Sequence, residues 1–319
     1  MFSNIAEPVT VVPYTSEYKQ TWDNYVDESR NGVFLFHRNY MEYHSDRFKD
    51  HSLMFFKKKQ LVGILPANIK DDVLQSHGGL TFGGLIIGYS TKTLTMLQIF
   101  DALISHCQKN GVNSIFYKAI PYIYHSVPTS EDLYALFRYT AKLVARNASS
   151  CIYLPYDHPF SDGRMYNIKK AQKHGLTATQ TSDIDSFMQL LKETLSRRHN
   201  VKPVHTSEEM KLLIDRFPDN IKLFASYNDG EQMLSGLLIY ESKNVVHVQY
   251  AANSEEGMNL GAQDLIENYL INTYYKDKRY YDFGISTENF GQVLNEGLIA
   301  RKETFGANSV MYDQYEICL

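Results

Sequence analysis

Cysteine is scarce. Cys107, Cys151 and Cys318 are the only three in 319 residues, too scattered and odd in number for a disulfide framework or a C-x-x-C metal or redox motif. A reducing compartment is the expectation. Long apolar runs are lacking too, since no stretch approaches the ~18–20 uninterrupted apolar residues of a spanning helix, so no transmembrane segment is expected. The opening MFSNIAEPVTVVPYTSEYK has Glu7, Pro8 and Pro13 where a secretory leader carries a positive region and then an apolar core. A cytoplasmic location is therefore expected, with peripheral membrane contact left open. Positive charge is not in excess either: the net charge of -4 argues against a generic nucleic-acid binder and against DNA as a partner. Local basic patches can still meet a phosphate-bearing ligand. What remains is an ordinary globular composition, 44% hydrophobic and 21% charged, long enough for one or two domains and for a core that needs no metal or crosslink.

Apolar periodicity predicts helices over Ser16–Glu28 and Arg38–Phe48. SLMFF, QLVGILPANI and VLQSH follow, separated by Lys57-Lys58-Lys59 and Lys70-Asp71-Asp72, and read as a three-strand antiparallel meander. A glycine-rich loop, HGGLTFGGLIIG, leads to a helix over Thr93–Lys109 that is stopped by Asn110-Gly111, and Ser114–Ala119 closes the unit as a strand. The same order then returns. DIDSFMQLLKETLSRR and TSEEMKLLIDRF read as helices, the second opened by a capping box from Thr206 to Glu209. Strands over Ile221–Tyr227, Gln232–Glu241 and Val245–Ala252 form a second meander around the hairpin signal Asn228-Asp229-Gly230. The loop SEEGMNLG, a helix over Ala262–Tyr275 and a strand over Tyr280–Gly284 complete it.

The expected class is α+β, with two tandem domains over residues 1–155 and 156–307, each a mixed, mostly antiparallel sheet flanked by helices. A linker is expected over Ser149–Arg164, where CIYLPYDHPFSDGR carries two prolines and a glycine. This order of elements resembles the GNAT acyltransferase plan; two unrelated α+β modules are the alternative.

Four stretches sharpen the resemblance. NGVFLFHRNYMEYH is similar to the opening "lf-Q-S-x-x-W" helix of the Fem-type peptidyltransferases, RMYNIKKAQKHGL to their basic "r-x-x-I-k-k-A-x-k-x-G" segment, and DSFMQLLKETLSRR to their "F-x-x-L-x-x-x-T-x-x-R" helix. YYDFGISTENFGQVLNEGLIARKETFGA resembles their ending "y-D-f-G … g-l-x-x-f-K-x-x-F-G-a", the most specific of the four. The resemblance implies two GNAT domains in one chain, with residues 308–319 returning to the first. It also implies an acyl- or aminoacyltransferase that forms an amide on an amino group of a cell-envelope precursor or small metabolite, using acyl-CoA or aminoacyl-tRNA as co-substrate and no tightly bound cofactor. The departures are specific. Tyr43-His44 stand where the family usually has lysine, and His77-Gly78-Gly79-Leu80-Thr81 replace its "R-G-P-x-x-D" turn, which makes His44 and His77 candidate acceptor-binding residues and argues against the same peptidoglycan precursor. The coiled-coil arm of some members is missing, because no sustained heptad pattern occurs.

Candidate chemistry follows. A GNAT pyrophosphate loop uses closely spaced glycines and a basic residue to face one anion. The second copy offers Asn259, Gly261 and Ala262 as cofactor-binding candidates, but it lacks the basic residue and carries Glu255-Glu256 just upstream, which weakens the case for coenzyme A. Glycines that merely permit tight turns are the plainer reading. By the resemblance, Lys302 stands at the family's lysine and is the candidate to stabilise the oxyanion of an amide-forming intermediate. Tyr250 is a candidate acid or hydrogen-bond donor, and Asp282 a candidate to orient Lys302 or the acceptor amine. Lys169, Lys170, Arg197 and Arg198 are candidates to line a groove for a phosphorylated acceptor or a tRNA stem, or else form solvated helix faces. His37, His44, Asp46, Asp50 and His51 suggest a metal cluster at first sight, yet only His44 and His51 share a helical face, so no metal is expected. Cys107 and Cys151 lack a recognisable histidine partner, so no covalent intermediate is expected. A catalytically decayed binding module on the same fold is the alternative function.

Overall fold

The computed structural model describes residues 7–155, 159–199 and 201–319; the side chains of Arg198 and His199 lie outside the described residues. The chain opens with β1 (Val9–Pro13), α1 (Lys19–Glu28) and the short α2 (Arg38–Met41), followed by β2 (Leu53–Lys57), β3 (Gln60–Leu65), β4 (Asn68–Lys70) and β5 (Val73–Gln75). Next come α3 (Thr93–Lys109), β6 (Ser114–Lys118), α4 (Glu131–Arg138) and β7 (Lys142–Tyr153). Then α5 (Asp162–Lys173), β8 (Thr179–Thr181), α6 (Ile184–His199) and α7 (Ser207–Arg216) precede the meander of β9 (Ile221–Tyr227), β10 (Met233–Glu241) and β11 (Val245–Asn253). The chain ends with α8 (Glu255–Leu260), α9 (Ala262–Tyr269), β12 (Tyr280–Ile285), the two-residue strands β13 (Thr287–Glu288) and β14 (Val293–Leu294), α10 (Glu296–Glu303) and β15 (Asn308–Cys318).

Two compact units result. The first takes the chain up to Asn147 with Asn289–Val293 and Met311–Leu319, and the second Ala148–Glu288 with Leu294–Val310. The linker expected over Ser149–Arg164 is therefore too long: 149–153 continue β7 as a strand, and Asp162 already opens α5. Ser149 and Ser150 look like turn residues but are buried, and the Ser149 hydroxyl is paired inside the fold. The expected boundary at residue 156 falls outside the described residues.

In the first unit the expected three-strand meander is divided. β1, β2 and β3 form one antiparallel sheet, while β4 and β5 pair with each other, β5 runs parallel to β6, and β6 pairs antiparallel with β15. Pro66 explains the break in QLVGILPANI, because it has no N–H to continue a ladder. Around α3, with Ile99, Phe100, Leu103 and Cys107 inward, the core gathers Leu53, Phe55, Leu74, Ile115 and Tyr117.

The second unit has the strand order β7-β12-β11-β10-β9-β8, antiparallel except for β11 and β12. Apolar alternation predicts β9 to the residue, and the capping box of α7 is present, with the Thr206 hydroxyl accepting from Glu209 N and the Glu209 carboxylate accepting from Thr206 N. Two irregularities shape the sheet. β11 carries a bulge beside β10, where Leu238 faces Tyr250 but Ile239 faces Val248, leaving Gln249 unpaired. β11 and β12 stay paired only as far as His247 and Asp282, after which the ladder between them ends.

Beneath this sheet Glu267 of α9 is almost fully buried and accepts a 2.5 Å hydrogen bond from the Tyr281 hydroxyl. Burial pushes its carboxyl up to about 7, against the pull of Arg301. The folded protein therefore holds a proton that the unfolded chain releases near the ordinary carboxylate value. Stability is expected to be full below that value and to fall as pH rises towards 7. Calorimetric Tm measured against pH checks this: Glu267→Gln is expected to flatten the slope and to be the more stable protein at pH 8.

Candidate functional site

Helix α10 delivers Lys302. The Asn295 side chain caps its first turn by accepting from Leu298 N at 3.0 Å, and Arg301 and Lys302 occupy the last turn, where positive charge suits the helix dipole. Three residues on, Phe305 is wholly buried, with its ring 5.1 Å from Phe160 and 5.6 Å from Phe283 and with the Arg164 and Arg301 guanidiniums near its face. Gly306 follows with φ +84°, a turn that glycine makes without strain. The K-x-x-F-G spacing thus pins the end of α10 and with it the lysine.

Lys302 is only 5% exposed, so it is not a solvated surface lysine. Its Nζ donates to the Gly284 carbonyl at 2.7 Å, to the Ile285 carbonyl at 2.9 Å and to Ser286 Oγ at 2.8 Å. Burial draws the ammonium down to about 8, while Asp282 raises it, Arg301 lowers it and Glu267 raises it. All three N–H donors are satisfied, so stabilising a new anion requires one to exchange. Ser286 Oγ is the partner that can turn away without leaving a carbonyl unpaired.

The other end of the same glycine holds Asp282. Its carboxylate has no exposed surface and accepts from Ser149 Oγ at 2.5 Å, from Gly284 N at 3.0 Å and from His247 Nδ1 at 2.8 Å. Gly284 takes φ +80°, and a Cβ there would lie 3.4 Å from His247 Cε1. One backbone residue therefore joins the ammonium to a buried carboxylate and its imidazole. His247 was not among the expected residues. Its only sequence signal is a polar ring on an otherwise apolar strand, HVQY, which by itself points nowhere.

The remaining candidates lie apart from this cluster, and no hydrogen bond or ion pair among the described residues joins them to it. Tyr250 does not serve as a free acid: its hydroxyl sits 2.6 Å from His205 Nδ1, and burial raises it above the ordinary phenol value. Arg197 is likewise engaged. It donates to the Asn253 carbonyl at 2.9 Å and lies 3.7 Å from Glu255, while Thr194 donates to the same carbonyl at 3.3 Å. The T-x-x-R pair thus caps the end of β11 through the Asn253 carbonyl. Lys169 is exposed and Lys170 half-buried on α5, as expected of a solvated helix face. Arg198, through its side chain, lies outside the described residues.

The loop expected to carry Asn259, Gly261 and Ala262 is corrected. The stretch expected as a loop is helix α8, whose Ser254 cap accepts from Gly257 N, and Gly261 is the left-handed joint between α8 and α9 at φ +79°. A Cβ on Gly261 would stand 2.5 Å from the Asn167 carbonyl, so α5 already lies against the glycine. Ala262 is fully buried with Ile168, Ala171 and Leu265. The nearby charge is Asp264, held by Arg164 at 2.8 Å and by Asn167 at 2.7 Å. The start of α9 thus lies under α5, with the Asp264 carboxylate neutralised by Arg164 and Arg301.

In the first unit His44 and His77 do come together, with ring centroids 5.3 Å apart and Phe48 against both. Burial, then His44 and Lys118, push His77 down to about 3, so it is uncharged near neutrality. Beside them buried Lys118 donates to the Leu80 carbonyl, and burial draws it down to about 8. Among the described residues no group of three or more His, Cys, Asp or Glu is arranged to hold a metal ion, and no helix is long and apolar enough to cross a membrane.

Residues 163–291 match the family described as Acetyltransferase (GNAT) domain. No curated protein matches the chain. Among solved structures, a crystal structure of FemX is similar over 97% of each chain, with TM-score 0.70 and 12% identity. L-PGS from Bacillus licheniformis is similar over 98% of this chain and 93% of its own, with TM-score 0.61 and 12% identity. A tandem GNAT protein from the clavulanic acid biosynthesis pathway is similar over 97% of this chain and 98% of its own, with TM-score 0.52 and 11% identity. The fold is the tandem GNAT fold of the Fem type.

Proposed function

Starting from that fold, we propose that the protein is an amide-forming aminoacyltransferase. It takes an aminoacyl ester of tRNA as donor and an amino group of a cell-envelope precursor or small metabolite as acceptor. The observation that carries the reading is the buried ammonium of Lys302, fixed by α10 against the end of β12 next to Asp282. An amine attacking an ester carbonyl builds an oxyanion, and a positive charge already desolvated and held in place stabilises it once the hydrogen bond to Ser286 Oγ is exchanged for one to the oxyanion. The tRNA donor is preferred to acyl-CoA because the helix start that would receive a pyrophosphate in the second unit is packed against Asn167.

The test is label transfer. Bulk tRNA charged with radioactive amino acids, and separately labelled acetyl-CoA, are incubated with the protein, lysine-containing peptides and nucleotide-linked muropeptides. Amide product is expected from tRNA and not from acetyl-CoA. Free coenzyme A is expected to leave Tm unchanged at millimolar concentration, whereas a ligand at 100 times its Kd adds about 2.7 kcal/mol to stability. Transfer from acetyl-CoA overturns the donor assignment; transfer from neither supports a binding module instead.

A further inference from the structure

Resting on that reading, the geometry points to His247 as the general base that removes the proton from the acceptor amine, with Asp282 as its positioning residue. The Asp282 carboxylate can only accept, so the ring nitrogen facing it, Nδ1, carries the hydrogen. In the neutral ring Nε2 then keeps its lone pair, and among the described residues it makes no hydrogen bond. Ser149 and Gly284 N hold the other carboxylate oxygen, so the carboxylate cannot turn away from the ring. This is the division of labour by which a buried carboxylate sets the tautomer and direction of a catalytic imidazole.

Position makes the pair more than a structural tie. His247 and Asp282 are the last partners in the β11–β12 ladder, so the ring stands where the two strands stop pairing. Gly284 has no side chain to cover the imidazole edge, and its carbonyl is bound by Lys302. The proposed base and the oxyanion-stabilising ammonium therefore flank one backbone residue.

Nε2 of His247 takes a proton from the acceptor ammonium, and the freed amine forms a C–N bond to the ester carbonyl carbon. The carbonyl electron pair moves to oxygen, where Lys302 meets it. Collapse breaks the C–O bond to the tRNA ribose, the departing oxygen takes the proton that the new ammonium releases, and the imidazolium passes its proton to water. The products are the amide and free tRNA, with His247 neutral again.

The experiment compares wild type with His247→Gln, using charged bulk tRNA as donor and either lysine-containing peptides or hydroxylamine as acceptor. Hydroxylamine is a nucleophile already unprotonated at pH 7. Loss of a general base is expected to slow transfer to the peptide amine by about 10²-fold to 10⁴-fold. Transfer to hydroxylamine above the protein-free rate is expected to stay close to that of wild type, which a misfolded or displaced site would not allow. Nitrogen-15 spectra of the His247 ring supply a readout besides activity: Nδ1–H with bare Nε2 is expected in wild type, and a changed tautomer balance in Asp282→Asn. Equal loss with both acceptors, or an Nε2–H ring in wild type, overturns the assignment of the base alone. Wild type that transfers to neither acceptor overturns the aminoacyltransferase reading and this inference with it.

Discussion

Lys302→Met is expected to lower kcat for aminoacyl transfer by about 10²-fold to 10³-fold, the loss typical of removing one oxyanion donor, with KM little changed. The separation follows from geometry. In the free protein all three donors of the ammonium are bound to Gly284, Ile285 and Ser286, so Lys302 makes no contact that a resting substrate would lose. Its charge is called on when the carbonyl oxygen becomes negative. Stability should move far less, by about 1 kcal/mol, because lost hydrogen bonds are offset by the end of a charge-burial penalty. Steady-state kinetics and thermal melts on the same preparation check both halves. A KM effect without a kcat effect would remove the lysine from the chemistry. The pH dependence has a definite sign: the useful form is the ammonium, which Lys302 loses as pH rises through about 8. Transfer should therefore fall on the alkaline side of 8, and the Met variant should lack that limb. Folding responds in the opposite direction, since a lysine drawn below its unfolded value favours the folded state increasingly from about 8 up to the ordinary lysine value of 10.5.

Asp282→Ala should be the most destabilising single change at the site, costing about 3–5 kcal/mol. Ser149 Oγ, Gly284 N and His247 Nδ1 all lose a fully buried acceptor. For a unit of this size that corresponds to a Tm fall of about 10 °C. Asp282→Asn is the informative companion. Its remaining carbonyl oxygen can still accept from Ser149 and Gly284, so it should cost about 1–2 kcal/mol, while its amide sets a donor against the histidine. Denaturant melts of the two variants decide the matter: if Asp282→Ala melts like wild type, the buried network does not support the end of β12.

Much of the fold was legible in the chain itself. Meander strands, helix α3 with its Asn110 stop and the capping box of α7 are local patterns, set by periodicities of 2.0 and 3.6 and by the chemistry of caps. Lys302 was legible too, through the K-x-x-F-G ending whose phenylalanine proves to be its anchor. Less legible was α8, because SEEGMNLG has the composition of a loop. Its serine cap, two glutamates in the first turn and left-handed glycine exit are nevertheless helix signals.

His247 could not have been found that way. It stands 35 residues from Asp282 and meets it only because β11 and β12 run parallel in a register that sets His247 against Asp282. Local sequence states which residues form a strand and which face is apolar. The partner across a ladder is chosen by the packing of α9 and β12 into a shared core, so tertiary structure decided that a carboxylate, an imidazole and an ammonium would gather around Gly284. By the same rule it gave Tyr250, Arg197 and Gly261 partners of their own. Their residue types suit the roles expected of them, but His205, the Asn253 carbonyl and Asn167 reach them first.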